Sequence, residues 1–281
     1  METKIIDGRK LRDEILADIK RKVALLPFVP VFCDVLVGDD SASLQYVKMK
    51  GKTAESIGIR FHNASFPGNI TTEALVQEIK KVSLLPHMCG IIVQLPLPTH
   101  IDKQAILNAI DAQLDVDCLG TAASEKFYSG DISVGPPAAL ACMHILDSLG
   151  MDLTDRKIVV LGQGKLVGRP VSALFRYRGM SAAAVDSRTE NKETILKEAD
   201  IIISGIGKGA YLSGAMIKEG AVLIDAGTTE EDGGIVGDID LHSVQGIAGA
   251  VSPVPGGVGP VTVAMLLQNV LKVAQTHESN K

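Results

Sequence analysis

Short apolar runs alternate with stretches of helical periodicity along almost the whole chain, and that alternation admits little besides an α/β fold. A strand that feeds a helix and then another strand builds a parallel sheet, because the helix supplies the crossover that brings the chain back to the same edge. Read in order, residues 5–25 carry a helical pattern and residues 29–37 a buried strand ending at Gly38. A helix follows, capped by Asp40 or Ser41, running to about residue 57 and stopped by Gly58. A strand at 59–66, a helix at 71–84 and a short apolar strand at 90–95, halted by Pro96 and Pro98, complete a first βαβ-type half. Residues 115–135 show no periodicity and read as irregular. Pro136 then opens a helix that ends at Gly150. Strands at 157–161, 182–185, 201–204, 222–225 and 249–251 give the second half the shape of a Rossmann domain, and a helix with one apolar face at 261–275 closes the chain.

A length of 281 residues suits two modest domains. The net charge of -5, with no block of Lys or Arg, argues against nucleic acid as a partner. No apolar run approaches the ~20 residues that a membrane-spanning helix needs. The start, Met1-Glu2-Thr3-Lys4, lacks the apolar stretch of a secretory signal. The four cysteines are scattered without a Cys-x-x-Cys pair and read as the reduced thiols of a cytoplasmic protein.

Four local patterns carry chemistry. Gly162-Gln163-Gly164-Lys165-Leu166-Val167-Gly168 puts glycines in a strand-to-helix turn, where helix N–H groups hold a pyrophosphate. The spacing is imperfect for a dinucleotide fingerprint, but Asp186 ends the next strand 24 residues after Gly162, near the place of a ribose-binding carboxylate. On the capped helix, Tyr46 and Lys50 are four residues apart and share a face. Gln94 ends an apolar strand just before two prolines, at the strand edge where α/β sheets bind ligands. Asp115 and Asp117 stand close together without the further ligands of a metal site, and none is expected. By spacing alone, Tyr46 and Lys50 are equally a solvated basic face, and Gln94 equally a strand cap.

The stiff loop Pro253-Val254-Pro255-Gly256-Gly257-Val258-Gly259-Pro260-Val261-Thr262 leads into the last helix, with Pro260 where a first helical turn begins. This loop, the run Val93-Gln94-Leu95-Pro96-Leu97-Pro98, the Tyr46-x-x-x-Lys50 pair and Asp115-Val116-Asp117 occur in one order. In these motifs, and over nearly its full length, the chain resembles the bifunctional methylenetetrahydrofolate dehydrogenase/methenyltetrahydrofolate cyclohydrolase family. The resemblance implies an N-terminal catalytic domain (1–136 with 262–281), a Rossmann-type dinucleotide-binding domain (137–261) and an active-site cleft between them. It implies tetrahydrofolate substrates and a homodimer. Lys50 would do acid/base work, Gln94 would set its protonation, Tyr46 would pack on the aminobenzoyl ring, and Asp117 would hold the pterin. Pro255, Gly256 and Gly257 would wall the substrate site. Gly162, Gln163, Gly164, Lys165, Ser187, Arg188 and Thr228 would bind the cofactor, NADP by family habit.

Departures from the family pattern gather on the nucleotide side. The usual Gly-Arg-Ser reads Gly162-Gln163-Gly164, and the usual His-Ser-x-Thr reads Asp186-Ser187-Arg188-Thr189. A carboxylate near a 2′-phosphate is repulsive, while Lys165 and Arg188 offer compensating charge, so NAD and NADP both stay open. Elsewhere Cys118 stands for a Gly, Cys89-Gly90-Ile91 for Asp-Gly-Ile, Val134-Gly135-Pro136-Pro137 for Pro-Cys-Thr-Pro, and Ala226-Gly227-Thr228-Thr229 for Val-Gly-Ile/Thr-Asn. The alternative reading is a cyclohydrolase whose dehydrogenase activity has weakened.

Overall fold

A computed structural model describes residues 2–231 and 233–279. The chain opens with β1 (Lys4–Ile5) and α1 (Gly8–Val23). It runs on through β2 (Val31–Val37), α2 (Ser41–Ser56), β3 (Arg60–Phe66), α3 (Thr72–Ser83), β4 (Met88–Val93), α4 (Lys103–Asn108) and α5 (Thr121–Tyr128). There follow α6 (Pro137–Ser148), β5 (Ile158–Leu161), α7 (Gly168–Tyr177), β6 (Ala183–Val185), α8 (Lys192–Glu198), β7 (Ile201–Ser204) and β8 (Val222–Asp225). The hairpin β9 (Thr229–Glu231) and β10 (Gly234–Val236), then α9 (Leu241–Val244), β11 (Ala250–Val251) and α10 (Val258–Ser279), complete it. Among the described residues no helix is long and apolar enough to cross a membrane.

The chain divides into two compact units. One, Met1–Asp13 with Ala138–Met265, holds a parallel sheet in the order β1-β11-β8-β7-β5-β6. Its strands are short and apolar, and Val159, Leu161, Ile202, Leu223 and Val251 are buried in one core cluster. Each such side chain contributes roughly 1.5–3 kcal/mol on burial. The strand order reverses at β5, with β6 on one side and β7 on the other. Crevices at such a switch point, beyond the strands' carboxyl ends, are where doubly wound sheets bind ligands.

The other unit, Glu14–Pro137 with Leu266–Lys281, holds the three-stranded parallel sheet β3-β2-β4. Every residue of β2 and of β4 is buried, as expected of parallel strands covered on both faces. The N-cap of α2 is Asp40, whose side chain accepts from the Ser43 N–H at 2.8 Å. On α10, the buried Asn269 donates from Nδ2 to the carbonyls of Val116 (2.9 Å) and Gly135 (2.7 Å), tying the 116–118 turn to the helix.

The structure departs from the sequence reading in several places. Ile5 belongs to a strand, because Lys4 and Ile5 pair in register with Ala250 and Val251. That pairing also draws the first thirteen residues into the six-stranded unit, whereas 1–136 was expected to form one body. The helix starts only at Gly8, with the Arg9 and Lys10 N–H groups donating to the Asp7 carboxylate. Residues 115–135 are not wholly irregular: they contain α5, whose first N–H, that of Thr121, is met by the Asn108 side chain at 2.8 Å. The last helix begins at Val258, so Pro260 lies inside its first turn, where a missing N–H costs nothing.

Candidate active site

In the three-stranded unit, Lys50 projects from α2 and is only 3% exposed. Its Nζ donates to Gln94 Oε1 at 2.8 Å, stands 2.6 Å from Asp34 Oδ2, and lies 4.7 Å from the centroid of the Tyr46 ring. The helical four-residue spacing delivers Tyr46 and Lys50 to the same face, as the sequence suggested. Gln94 comes one residue after β4 and donates from Nε2 to the Leu95 carbonyl at 2.7 Å. An ammonium can only donate, so the atom of Gln94 facing Lys50 has to be its oxygen, and the second bond of the amide holds that orientation.

Asp34 was not singled out from sequence. It is fully buried in the middle of β2. The only signal was one charged residue inside the apolar run Val31–Val37, and nothing local told which cation would meet it. Burial pushes its carboxyl up from the ordinary range, and Lys50 opposes the rise. Lys48 and Lys52, the neighbours of Lys50 in sequence, are exposed, and the charged group opposite Nζ is a carboxylate.

Asp115 and Asp117 play separate parts. Asp115 is buried and turned inward, accepting the N–H groups of Gly120 (2.7 Å) and Asp117 (3.3 Å), so it builds the loop. Asp117 is half-buried; desolvation first, then Asp115, push its carboxyl up to about 7 against the pull of Lys50. Burial and the Asp117 and Asp34 charges push the Tyr46 phenol up to about 12. Lys50, Gln94, Tyr46 and Asp117 are thus brought into one neighbourhood. In the same turn Cys118 has a left-handed backbone (φ 59°), a conformation that glycine adopts without penalty.

In the six-stranded unit, β5 ends at Leu161, and the next residue, Gly162, with a φ of 92°, turns the chain toward α7. Gly168, the first residue of α7, lies so close to the Gly162 carbonyl that a Cβ would overlap it. A crevice of about 350 Å³ opens here, lined by Gly162, Gln163, Gly164, Asp186 and Ser187, and across from them by Lys192, Ile206, Lys208 and Tyr211. Gly162, Gln163, Gly164 and Ser187 therefore meet as expected. Lys165, Arg188 and Thr228 are exposed, and they are not part of this lining. Arg188 is committed to Asp186, its guanidinium 2.7 Å from Oδ2 and its N–H 2.9 Å from Oδ1. The cations on the crevice are instead Lys192 and Lys208, about which the sequence offered no signal; both stand near the Tyr211 ring, 6.0 and 5.9 Å from its centroid.

Two buried carboxylates shape this crevice from behind. Asp238 accepts from Ser204 Oγ (2.7 Å) and from the N–H groups of Ile206 (2.7 Å) and Lys208 (2.9 Å). Asp225 accepts from the N–H groups of Gly227, Asp238 and Ile239, and burial pushes it up to about 6. The Pro255, Gly256 and Gly257 loop belongs to this same unit; the Gly256 carbonyl accepts from Gly8 at 3.0 Å and Gly257 donates to the Pro253 carbonyl at 2.8 Å. The glycine turn, the crevice and the start of α7 fit a dinucleotide: the backbone can approach a pyrophosphate and helix N–H groups face it.

Comparison with known proteins matches residues 6–117 to the tetrahydrofolate dehydrogenase/cyclohydrolase catalytic domain and residues 136–278 to the NAD(P)-binding domain of the same group. A protein of Acetivibrio thermocellus named bifunctional protein FolD is 36% identical over 290 residues, covering 100% of both chains. Among solved structures, the bifunctional methylenetetrahydrofolate dehydrogenase/cyclohydrolase of Campylobacter jejuni superposes with a TM-score of 0.93 at 34% identity, covering 98% of this chain and 99% of that one. The Trypanosoma brucei methylenetetrahydrofolate dehydrogenase-cyclohydrolase, complexed with NADP cofactor and inhibitor, gives 0.92 at 34% identity over 99% of each chain.

Proposed function

The chain belongs to the tetrahydrofolate dehydrogenase/cyclohydrolase family, and on that premise we propose that it catalyses two successive steps of folate one-carbon chemistry. The first oxidises 5,10-methylenetetrahydrofolate to 5,10-methenyltetrahydrofolate with NAD(P)⁺. The second hydrolyses the methenyl product to 10-formyltetrahydrofolate. The observation that carries this reading is the meeting of Lys50, Gln94 and Tyr46, in the same unit as Asp117.

When bound, a nicotinamide cofactor would supply the hydride acceptor for the first step. The Gly162–Gly164 turn and the N-terminus of α7 would hold the pyrophosphate, with Ser187 beside the ribose. Because Arg188 is tied to Asp186, Lys192 and Lys208 are the cations left to meet a 2′-phosphate, which favours NADP over NAD. Asp117 would accept the N–H and NH₂ edge of the pterin, and the Tyr46 ring would pack on the aminobenzoyl group. In hydrolysis Lys50 Nζ would move protons between the attacking water and the ring nitrogen, kept in position by Gln94. A homodimer and a cytoplasmic setting complete the reading, on the family resemblance and the reduced, buried thiols.

Absorbance-monitored turnover tests both steps separately. Reduction of NADP⁺ by methylenetetrahydrofolate, together with hydrolysis of supplied methenyltetrahydrofolate, is the expected result. Hydrolysis without reduction of either NADP⁺ or NAD⁺ would reduce the protein to a cyclohydrolase. Absence of both would remove the proposal.

A further inference from the structure

Hydrolysis asks something of Lys50 that Lys50 and Gln94 cannot supply. A base that takes a proton from water must first be neutral, and an ammonium is not. Gln94 turns an oxygen toward Nζ and so can accept no proton from it usefully. Among the described residues, the other polar group against Nζ is Asp34, with Oδ2 at 2.6 Å. Asp34 is 0% exposed, and apart from the Lys50 ammonium beside Oδ2 neither of its oxygens meets a hydrogen-bond donor among the described residues. A carboxylate placed in a dry parallel strand with a single ammonium for company is expensive to keep. The strand itself would be better served by a β-branched residue at that point, like Val31, Val35 and Val37 around it.

Building on the folate reading above, we propose that Asp34 is the resident proton partner of Lys50, a positioning residue that converts the ammonium into a working base. The proton moves from Nζ to Asp34 Oδ2, turning ammonium and carboxylate into amine and carboxylic acid with no change in net charge. The amine then takes a proton from water as the water oxygen bonds to the methenyl carbon, whose C=N π electrons pass to nitrogen. In the collapse that follows, the C–N bond breaks with its electrons kept by the leaving ring nitrogen. That nitrogen takes a proton from the Lys50 ammonium, the carbinol oxygen gives its own proton back to the Lys50 amine, and the formyl C=O forms. Cation and water yield a neutral formamide and one proton, which is left on Asp34 and lost to solvent as the carboxylate is restored. Burial supports the shift, since it raises the proton affinity of Asp34 toward that of its partner.

Among the described residues, Tyr46 and Asp117 face the pair, burial pushing the Asp117 carboxyl up to about 7, and Cys33 adjoins Asp34 on β2, where burial and the Asp34 charge push its thiol up to about 12. The test therefore reads kcat at saturating folate, where binding through Asp117 no longer limits. Wild type, Asp34→Asn and Asp34→Val are compared in hydrolysis of methenyltetrahydrofolate from about pH 6 to about pH 9, after subtraction of the uncatalysed rate, with methylene oxidation run in parallel. The valine variant serves if the amide does not fold, because valine suits the strand. Wild-type kcat should be flat through neutral pH. Both variants should lose about 10²-fold at pH 7 and replace the flat profile with one that rises with pH. The ratio of hydrolysis to oxidation should fall at least about tenfold, because hydride transfer moves no proton. Variants that keep the wild-type pH profile, or that lose both activities in equal measure, overturn the role. A wild-type protein that hydrolyses nothing refutes the folate reading instead.

Discussion

The surroundings of Lys50 and the Gly162 crevice recognise their ligands in opposite ways. Around Lys50 the chemistry lies in dry side chains that meet at one ammonium, with a carboxylate oxygen at 2.6 Å and an amide oxygen at 2.8 Å from its nitrogen. At the crevice the decisive groups are backbone, a left-handed Gly162 and the opening of α7, while the charged side chains stand in or near solvent. The family pattern holds at Tyr46, Lys50, Gln94 and Asp117 and drifts at Gln163, Gly164 and Asp186. The physical difference explains why. Removing one member of a buried pair leaves an uncompensated charge, at about 3–5 kcal/mol. An exposed cation near a phosphate can be exchanged for another a few ångströms away, since surface charge acts through the summed field and tolerates displacement.

The contrast is sharpest at Lys50. Lys50→Met should abolish hydrolysis, by more than about 10³-fold, while the protein still folds. It should also leave Asp34 without the ammonium that opposes its rise. A carboxyl whose folded pKa is raised binds a proton that the unfolded chain releases above about pH 4. The variant's stability should thus fall as pH rises above that value and recover on acidification, measured by urea unfolding at several pH values. A variant equally stable at all pH values would show that the pair is not dry, and the contrast would break.

Asp117→Asn should raise KM for the folate by about 10²-fold with a smaller effect on kcat, since it removes a charge-assisted contact. In the unaltered protein the carboxylate form exists mainly above about 7, so kcat/KM should decline as pH falls through that value. A profile flat to pH 5 would place the pterin elsewhere.

On the nucleotide side effects should be smaller and divisible. Lys192→Ala and Lys208→Ala should each weaken NADP⁺ by about tenfold and leave NAD⁺ nearly untouched, checked by titration of both cofactors. Raised salt should blunt both losses. Equal weakening of NAD⁺ would mean that the lysines act on something common to both cofactors. Asp238→Asn, by contrast, removes an acceptor that holds the Ile206 and Lys208 N–H groups, and should raise KM for either cofactor alike.

The smallest change lies at Cys118. Its left-handed backbone costs about 1–2 kcal/mol relative to glycine, and its buried side chain returns a similar amount by packing. Cys118→Gly should therefore move the thermal midpoint by only a few degrees in either direction.

What could be read from the chain alone was whatever acts over one or two turns. Alternating periodicity declared the α/β class, the four-residue step put Tyr46 and Lys50 on one face, and glycines around residue 162 marked the nucleotide turn, because each depends on neighbours a few residues apart. Helices α4, α5 and α8 and the β9–β10 hairpin escaped because they are short and stabilised by packing, not by a long apolar period. The pairing of Asp34 with Lys50, the capture of Arg188 by Asp186, the arrival of Lys192 and Lys208 at the crevice and the joining of β1 to β11 were decided only in three dimensions. A buried charge chooses its partner by which atoms remain within reach once water is gone. Of these four, only the Arg188–Asp186 contact is between near neighbours in sequence, and even there spacing could not tell whether Arg188 would face the phosphate or the carboxylate.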